Sequence, residues 1–396
     1  MRLRIGISSN LFYSLSAICM ASGAIGASML APFYMDAKGF PLAVVGMPLL
    51  VNGVGALCSD VVSGTLASYF RSSFLLLASI VIAVVTAFLG FAFQDSLTVF
   101  LVAFTILGLT EAMFSLAIRR IVFVQSTPEE QGKAQGQVAA ALGLGFALGP
   151  TMGGFVGEWW GLDKLFLLVA VPQSVGLVFI LLAQGHRTEK PVERSPVPLW
   201  RVGTGLMSRP GFLGAWLAIF QSFFCLIGVT RIAFPFLAVR RGLTLDIIGT
   251  MVSISRLTDT GGRLGGGWLC DRIGTRRVIL LGVFVTVPAF VLQIFGHGYI
   301  ALLLPLCLMT AGFGLSNVGS TTLALQIADD SSKGVALGLI RGGSSTGRMF
   351  GPLLAGILVA DLGFHWGFMA LGVLSFVIGG GVAGLFRRQG EEVRRG

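Results

Sequence analysis

The sequence predicts an all-α integral membrane protein with twelve transmembrane helices, arranged as two six-helix pseudo-symmetric halves around a central cavity. Three observations lead to this prediction: a composition with little charge, about twelve apolar stretches of membrane-spanning length, and an internal repeat. Hydrophobic residues make up 54% of the 396 residues and charged residues only 12%. A soluble domain ordinarily carries about 25% charged residues, so we expect this chain to lie in a lipid bilayer.

The apolar stretches define the expected spans, because a helix needs about 20 mostly apolar residues to cross the roughly 30 Å hydrocarbon layer. These stretches do not alternate apolar and polar residues, as the strands of a membrane β-barrel do. The expected spans lie near residues 8–33, 43–68, 73–92, 97–122, 134–158, 165–184, 211–238, 245–268, 277–296, 299–326, 334–360 and 365–386.

The first stretch resembles a secretory signal, since two arginines and an apolar run precede small residues. The run continues to about Tyr34, which is longer than a typical signal core. We therefore expect an uncleaved first helix.

The basic residues predict the orientation of the chain. With the N-terminus inside, only four of the 28 lysines and arginines fall in outer loops, five fall within spans, and the other nineteen fall in inner loops and tails. This bias follows the positive-inside rule, so we expect a multi-pass protein of the inner (cytoplasmic) membrane with both termini in the cytoplasm. The net charge of +10 is dispersed over short loops. This distribution is explained by membrane topology and by contact with anionic lipids, and we expect no nucleic-acid partner.

One long polar stretch, "GHRTEKPVERSPVPLWRVGTGLMSRPG" at 185–211, separates the sixth and seventh expected spans. Its prolines and mixed charges are typical of a linker. We therefore divide the chain into an N-terminal six-helix half at 1–184, a cytoplasmic linker at 185–210 and a C-terminal six-helix half at 211–396.

The two expected halves share a glycine and proline pattern. A shift of 202 residues superposes the fifth span on the eleventh, and a shift of 203 aligns "GTLASYF" at 64–70 with "GWLCDRI" at 267–273. The pairs at a shift of 202 are Gly132 and Gly334, Gly136 and Gly338, Gly145 and Gly347, Gly149 and Gly351, Pro150 and Pro352, Gly154 and Gly356, and Gly161 and Gly363. Repeated membrane halves around a midplane site are typical of secondary transporters, in which one half rocks against the other.

The loop between the eighth and ninth spans, "GWLCDRIGTRRVIL" at 267–280, carries a specific motif. Through it the chain resembles the major facilitator superfamily over essentially its full length. The residues that match are Gly267, Asp271, Arg272, Gly274 and Arg276. The resemblance implies that this loop latches the halves together in one conformation. The equivalent loop of the first half departs from the pattern, since Ser68 replaces the aspartate and Arg71 the second glycine.

The fifth span contains "GFALGPTMGG" at 145–154, which is similar to the antiporter motif of the drug and metabolite exporters that exchange protons in this superfamily. Its small residues are Gly145, Gly149, Gly153 and Gly154, with Pro150 between them; Gly351 and Pro352 repeat it in the eleventh span. Ordinary close packing of small residues explains the same pattern without coupling. The fourth-span motif of these exporters has an arginine where this chain has Phe104. The fourth span therefore does not support the proton-coupling mechanism that is usual in these exporters.

Charged residues inside the expected spans are the candidate site. Arg341 and Arg348 lie seven residues apart and share a face of the eleventh span, and Arg256 and Asp259 lie in the eighth. Insertion of an arginine that faces lipid costs about 2.5–3.5 kcal/mol, so we expect these residues to face a cavity instead. With Glu111 of the fourth span, they are the candidates for lining a substrate and coupling cavity. Asp259 has an alternative role, which is to neutralise Arg256 within its own helix.

Three further charged residues have other expected roles. Arg263 precedes the loop motif by four residues, and Asp60 occupies the position that the repeat aligns with it. We expect both to act in gating or structure. Arg231 is a weaker candidate, because the sequence places it toward the outer headgroups.

These features predict a secondary active transporter that exports an organic anionic or amphiphilic compound, coupled to protons, by alternating access. Organic-anion uptake or exchange is an alternative that the arginines favour, and a signalling or scaffold protein that keeps the carrier fold is another. The five cysteines form no disulfide or metal-ligand pattern, and no ATPase motif is present. We therefore expect no enzyme activity, no cofactor and no metal, with a small-molecule substrate, protons and the bilayer as partners of a monomer.

Overall fold

The computed structural model describes residues 9–126, 131–183, 199–329 and 332–395, and within these ranges the chain is helical with no strand. The first six helices are α1 (Ser9–Ala37), α2 (Met47–Tyr69), α3 (Ser72–Ala92), α4 (Leu97–Gln125), α5 (Gln131–Trp159) and α6 (Leu167–Ala183). After α7 (Leu199–Met207) come α8 (Pro210–Gly228), α9 (Phe234–Arg240), α10 (Leu245–Ile273), α11 (Thr275–Phe295), α12 (Tyr299–Ile327) and α13 (Lys333–Arg395). We refer to α1–α6 as the N-terminal half and to α8–α13 as the C-terminal half.

The predicted all-helical membrane architecture is confirmed, whereas the count of twelve spans is not reproduced exactly. Nine helices among the described residues are long and apolar enough to cross a membrane. The eleventh and twelfth expected spans count as one, because α13 continues through both and bends at Gly363, whose φ of 75° favours glycine. Neither α2 nor α10 is among the nine, although they are 23 and 29 residues long.

The seventh expected span is not a uniform α-helix. A π-helical turn at Val229–Ala233 separates α8 from α9. Pro235 lies four residues after Arg231 and has no N–H to donate to the carbonyl of Arg231, so a regular α-helical bond cannot form there. The sequence did not predict this wider turn, which contains Arg231.

The expected linker contains a short helix. Residues 184–198 lie outside the described part of the chain, and α7 begins at Leu199, inside the range that the sequence analysis assigned to linker. At the end of this region, the Arg209 guanidinium donates a hydrogen bond of 2.8 Å to the carbonyl of Ile327 at the end of α12. This contact attaches the start of α8 to its own half.

Successive expected spans alternate in direction, so the bundle has two faces. We call the face that contains the start of α1 and the end of α13 the terminal face, and the other the opposite face. α1 and α5 run parallel, since Gly145 packs on Ile18 and Gly153 packs on Gly26. α5 and α10 run antiparallel, because Gly154 contacts Leu245 whereas Pro150 contacts Gly249.

The repeated glycines make equivalent contacts within the two halves. A Cβ at Gly149 would lie 2.8 Å from the Ser22 carbonyl oxygen of α1, and a Cβ at Gly351, its repeat partner, would overlap the Phe224 carbonyl oxygen of α8. Glycine permits these approaches because no side chain separates the two backbones. The fifth and eleventh spans therefore pack on α1 and α8 in the same way.

The halves meet through a second pair of equivalent contacts. A Cβ at Gly249 of α10 would overlap the carbonyl oxygen of Pro150, and a Cβ at Gly46, just before α2, would lie 2.7 Å from that of Pro352. The two glycines are 203 residues apart and the two prolines 202, which matches the shifts found in the sequence. Both contacts lie in the part of the bundle near the opposite face, where the two halves are closely packed.

Candidate functional site

An ion pair between the two halves lies at the centre of the candidate site. The Arg348 Nη2 atom of α13 is 3.3 Å from Glu111 Oε1 and 3.4 Å from Oε2 of α4. The side chains are 26% and 14% exposed. Because neither would remain charged against lipid without a large cost, their remaining exposure indicates a solvent-accessible space between the halves. The structure thus brings together two of the predicted cavity residues.

A second polar contact joins the halves one turn earlier on α13. The Ser345 hydroxyl donates a hydrogen bond of 2.7 Å to Asp60 Oδ2 of α2. Ser345 and Arg348 are three residues apart and therefore lie on one face of the helix. Asp60 is among the residues predicted to act in gating or structure, and the structure places it on the boundary between the halves.

The charges of the eighth span interact within α10. Asp259 accepts two hydrogen bonds from Arg263, at 2.8 Å from Nε and 3.1 Å from Nη2, and its charge also attracts that of Arg256. The Arg263 guanidinium, whose side chain is 43% exposed, also lies 5.5 Å from the Phe313 ring centroid. Arg263 is thus held by a bidentate ion pair and an aromatic face.

Arg256 is buried beside this pair. Only 9% of the residue is exposed, and its Nε atom has no hydrogen-bond partner among the described residues. Its guanidinium interacts electrostatically with Asp259, Arg263 and Arg348. The predicted cavity residues Arg256, Asp259 and Arg348 are therefore electrostatic neighbours across α10 and α13.

The expectation that Arg231 lies near the outer headgroups is wrong. The residue is 1% exposed, and Nη1 donates a hydrogen bond of 2.9 Å to the carbonyl of Ile25 in α1. Its charge interacts with those of Arg256, Arg348 and Glu111. From the π-helical turn, this side chain thus reaches the boundary between the halves.

The sequence analysis missed Arg119 of α4. Its Nε atom is buried without a hydrogen-bond partner among the described residues, and its charge interacts with those of Arg341 and Arg263. Arg119 lies eight residues after Glu111, so it belongs to the same helical face. That spacing was visible in the sequence, but the position near the end of an expected span made Arg119 look like a loop residue.

The charges along this boundary are unequal. Glu111, Asp60 and Asp259 supply three carboxylates. Four arginines bind or interact with these carboxylates, namely Arg231, Arg256, Arg263 and Arg348. Two more, Arg119 and Arg341, interact with each other, and Arg119 also interacts with Arg263. The described lining therefore carries three positive charges in excess, which favours negative charge in the space between the halves.

The fifth-span motif packs helices and also joins the halves. Gly145, Gly149 and Gly153 pack on α1, whereas a Cβ at Gly154 would overlap the carbonyl oxygen of Leu245 in α10. Beside them, the Thr151 hydroxyl donates a hydrogen bond of 2.7 Å to Ser253 Oγ of α10. The arrangement closes the space between α5 and α10 toward the opposite face.

Glu158 adds a contact at the opposite face, where its Oε2 accepts a hydrogen bond of 2.9 Å from the Leu245 amide. This carboxylate satisfies a free amide in the first turn of α10. The contact attaches the end of α5 to the start of α10.

The loop motif lies at the terminal face. Gly274 has a φ of 87°, ends α10 and precedes α11, so the predicted tight turn requires glycine there. Asp271 is exposed, and the Arg272 guanidinium lies 4.1 Å from the Trp268 ring centroid. Nothing lies within 4 Å of a Cβ built at Gly267. The motif is therefore accessible in this conformation.

No group of three or more metal-ligating side chains occurs among the described residues. The five cysteines are free thiols, and Cys225 belongs to a buried polar network around Gln221 in the C-terminal half. The Gln221 amide donates hydrogen bonds of 3.2 Å to Thr286 and 2.5 Å to Ser375. These polar groups hold helices of one half together and do not line the candidate site.

Comparison with a family description agrees with this geometry. The family model of the Major Facilitator Superfamily matches residues 11–262 and 224–395. The two matched ranges together cover nearly the whole chain.

Two relatives from Bacillus subtilis (strain 168) carry the names multidrug resistance protein 2 and multidrug resistance protein 1. The first is 27% identical over 280 residues, which is 68% of this chain and 68% of that protein. The second is 26% identical over 259 residues, which is 63% of this chain and 64% of that protein. The chain thus matches about two thirds of the length of these relatives.

Solved structures share the fold. The nucleoside transporter NupG aligns with a TM-score of 0.73 and 14% identity, over 96% of this chain and 99% of that one. A bacterial homologue of the human lysosomal transporter Spinster aligns with a TM-score of 0.78 and 14% identity, over 96% of this chain and 95% of that one.

Proposed function

This chain belongs to the Major Facilitator Superfamily, and from that premise we propose that it is a secondary active transporter that exports an organic compound coupled to protons. The family indicates a carrier rather than an enzyme. In this proposal the terminal face is cytoplasmic, the protein is a monomer of the inner (cytoplasmic) membrane, and the two halves rock about the charged boundary. The names of the two bacterial relatives support export.

The ion pair between Glu111 and Arg348 is the observation that carries the proposal. It joins α4 to α13, so its formation depends on how the two halves are placed. Glu111 is a partly buried carboxylate, and a proton would remove the charge that holds Arg348. Protonation of Glu111 would therefore loosen one contact between the halves, which is what coupling of a proton to alternating access requires.

The same pair determines which cargo can exchange for a proton. A compound with a cationic or hydrogen-bond-donating end can bind the Glu111 carboxylate only when the proton is absent. Cargo and proton then exclude each other, and mutual exclusion produces exchange in opposite directions. An amphiphilic compound with such an end fits the proposed export.

An organic anion is the second candidate cargo, because the lining has an excess of arginine. An anionic group that binds Arg348 displaces the Glu111 carboxylate and repels it, and a proton bound by Glu111 would remove that repulsion. Anion and proton consequently bind together and move in the same direction. Through this pair, an anion would be cotransported with a proton, as the uptake or exchange alternative requires.

The direction of proton movement separates the two candidates. The purified protein would be placed in liposomes that contain a pH-sensitive dye, and lipophilic cations or organic anions would be added outside. Entry of an exchanged cation would make the lumen more alkaline, whereas entry of an anion with a proton would make it more acidic. Empty liposomes correct for passive permeation of the compounds.

Glu111→Gln provides the test of the pair. We expect the pH signal to disappear in this variant while labelled cargo still exchanges down its own gradient. Asp95→Asn is the matched control, because Asp95 pairs with Lys38 at an exposed site on the opposite face. An unchanged pH signal in Glu111→Gln would contradict the proposed role of Glu111.

A further inference from the structure

Two buried arginines near the π-helical turn have donors that the protein leaves unused. Arg231 and Arg256 are 1% and 9% exposed, and their charges interact with each other. Arg231 uses Nη1 for the Ile25 carbonyl, but its Nη2 atom has no partner among the described residues. The Nε atom of Arg256 also has no hydrogen-bond partner among the described residues. Each guanidinium thus offers a buried N–H that is not satisfied.

The neighbouring carboxylates do not satisfy these donors. Both oxygens of Asp259 accept hydrogen bonds from Arg263, and both oxygens of Glu111 face Arg348. Guanidinium groups remain charged at any accessible pH. Burial of a charged donor without a partner is costly, so two such groups whose charges interact favour an additional negative ligand.

We propose that Arg231 and Arg256 form a binding subsite for one small monovalent anion, either a free halide or the carboxylate end of a cargo molecule. Two guanidinium donors match the size and charge of such a group. The low exposure of both residues favours a halide or a single carboxylate over a bulky ligand. This inference rests on the burial and the unused donors of the two arginines and not on the proposed proton exchange.

The subsite also has a consequence for the contact between halves. Arg231 belongs to the π-helical turn and donates to Ile25 of α1. An anion would reduce the repulsion between Arg231 and Arg256 and so stabilise Arg231 in this position. Anion binding is therefore expected to stabilise the conformation in which the opposite face is closed.

Thermal unfolding of the detergent-purified full chain tests the proposal without any transport measurement. Sodium isethionate, a bulky monovalent salt, would be replaced stepwise by chloride or by acetate at constant ionic strength. We expect the unfolding midpoint to rise by several degrees with saturation. A response to chloride identifies a free halide as a ligand, and a response to acetate alone identifies a carboxylate end.

Variants of the two arginines locate the effect. Arg231→Gln removes both the unused donor and the one bound to the Ile25 carbonyl, and Arg256→Gln removes the second charge. We expect each to weaken the apparent anion affinity at least tenfold. Arg240→Gln is the control, because Arg240 lies on the Phe364 ring, 4.6 Å from its centroid, at the opposite face. Equal stabilisation in all three variants, or none in the unmodified protein, overturns the proposal.

A second measurement uses the unmodified protein and covers the case in which the variants do not fold. Crystals grown with bromide, or soaked in it, should show anomalous density between Arg231 Nη2 and Arg256 Nε; crystals grown with acetate should show a carboxylate there. Absence of both from that position would refute the subsite. Loss of proton-coupled flux would bear only on the function proposed above.

Discussion

Arg348 of α13 forms an ion pair with Glu111 of α4 across the boundary of the two halves, at 3.3 Å. The two residues are 237 positions apart in sequence, so each half supplies one charge. The pair is thus intact in a conformation closed at the opposite face. Because the pair is partly exposed, the stability lost when one partner is removed should lie between that for a surface ion pair and that for a fully buried one.

The first prediction concerns the stability of this pair. Arg348→Gln leaves the Glu111 carboxylate partly buried without its partner, so we expect a loss of about 1–2 kcal/mol. The double variant Glu111→Gln with Arg348→Gln should lose less than Arg348→Gln alone, because no unpaired carboxylate remains. Unfolding midpoints of the three variants in detergent measure the difference. Additive effects of the two substitutions would show that the pair contributes no coupling energy.

The second prediction concerns the closed opposite face. Gly249→Ala places a methyl group against the carbonyl oxygen of Pro150, so α5 and α10 must separate. Backbone atoms cannot move aside cheaply, and we expect the population closed at the opposite face to fall sharply. Gly261→Ala, on the same helix, is the control, since nothing lies within 4 Å of a Cβ at that position.

Distances between spin labels measure that population. Labels at Gly136→Cys of α5 and Gly265→Cys of α10 fit the structure because both Cβ positions are open. In a background without the five native cysteines, Gly249→Ala should shorten the distance between these labels as the terminal face closes. If Gly249→Ala and Gly261→Ala give the same distance distribution, the contact with Pro150 does not hold the halves together.

The sequence predicted the residues of the site better than their pairing. The spacing of Arg341 and Arg348 identified one helix face, and Glu111 was the acid of the fourth span without another role. Which acid meets which arginine depends on side-chain direction as well as spacing, so Asp259 pairs with Arg263 at i+4 and not with Arg256 at i−3.

Other parts of the site required the tertiary structure. Arg231 lies near the end of an expected span, where an arginine ordinarily reaches the headgroups, and only the tertiary contact with Ile25 of α1 reveals that it is buried. By contrast, the repeated glycines predicted the packing of the halves closely, because close backbone approach restricts the choice of residue far more than a charge restricts its partner.

The third prediction concerns the hydrogen bond between Ser345 and Asp60. A hydrogen bond to a charged group contributes about 1.5–3 kcal/mol, so Ser345→Ala should reduce the population closed at the opposite face by roughly tenfold. Ser344→Ala is the control, because that hydroxyl donates to the Arg341 carbonyl within its own helix. The same spin labels report the change, and equal behaviour of the two alanine variants would contradict the prediction.

The fourth prediction concerns pH. Lys38 donates a hydrogen bond to Asp95 and lowers the pKa of that carboxyl, and Asp95 raises the pKa of Lys38 in return. The contribution of Asp95 to stability is therefore present above pH about 4 and is lost as the pH falls through the lowered pKa. That of Lys38 is present below pH about 10 and is lost as the pH rises through the raised pKa.

The pH dependence of unfolding checks this sign. The small difference in unfolding midpoint between the unmodified protein and Asp95→Asn should be constant from about pH 5 to 9 and should decrease toward both extremes. A difference that grows as the pH falls below 4 has the wrong sign for a carboxyl whose pKa is lowered.

The last prediction concerns Asp259, which balances two arginines at once. It binds Arg263 directly and attracts the charge of Arg256. Asp259→Asn leaves the buried Arg256 and the partly exposed Arg263 to repel each other, so we expect it to be among the most destabilising single substitutions in the boundary. The double variant Asp259→Asn with Arg256→Gln should regain part of that stability, because one of the two uncompensated charges is removed. Thermal unfolding measures both, and a double variant less stable than Asp259→Asn would show that Arg256 is stabilised by another anion at this site.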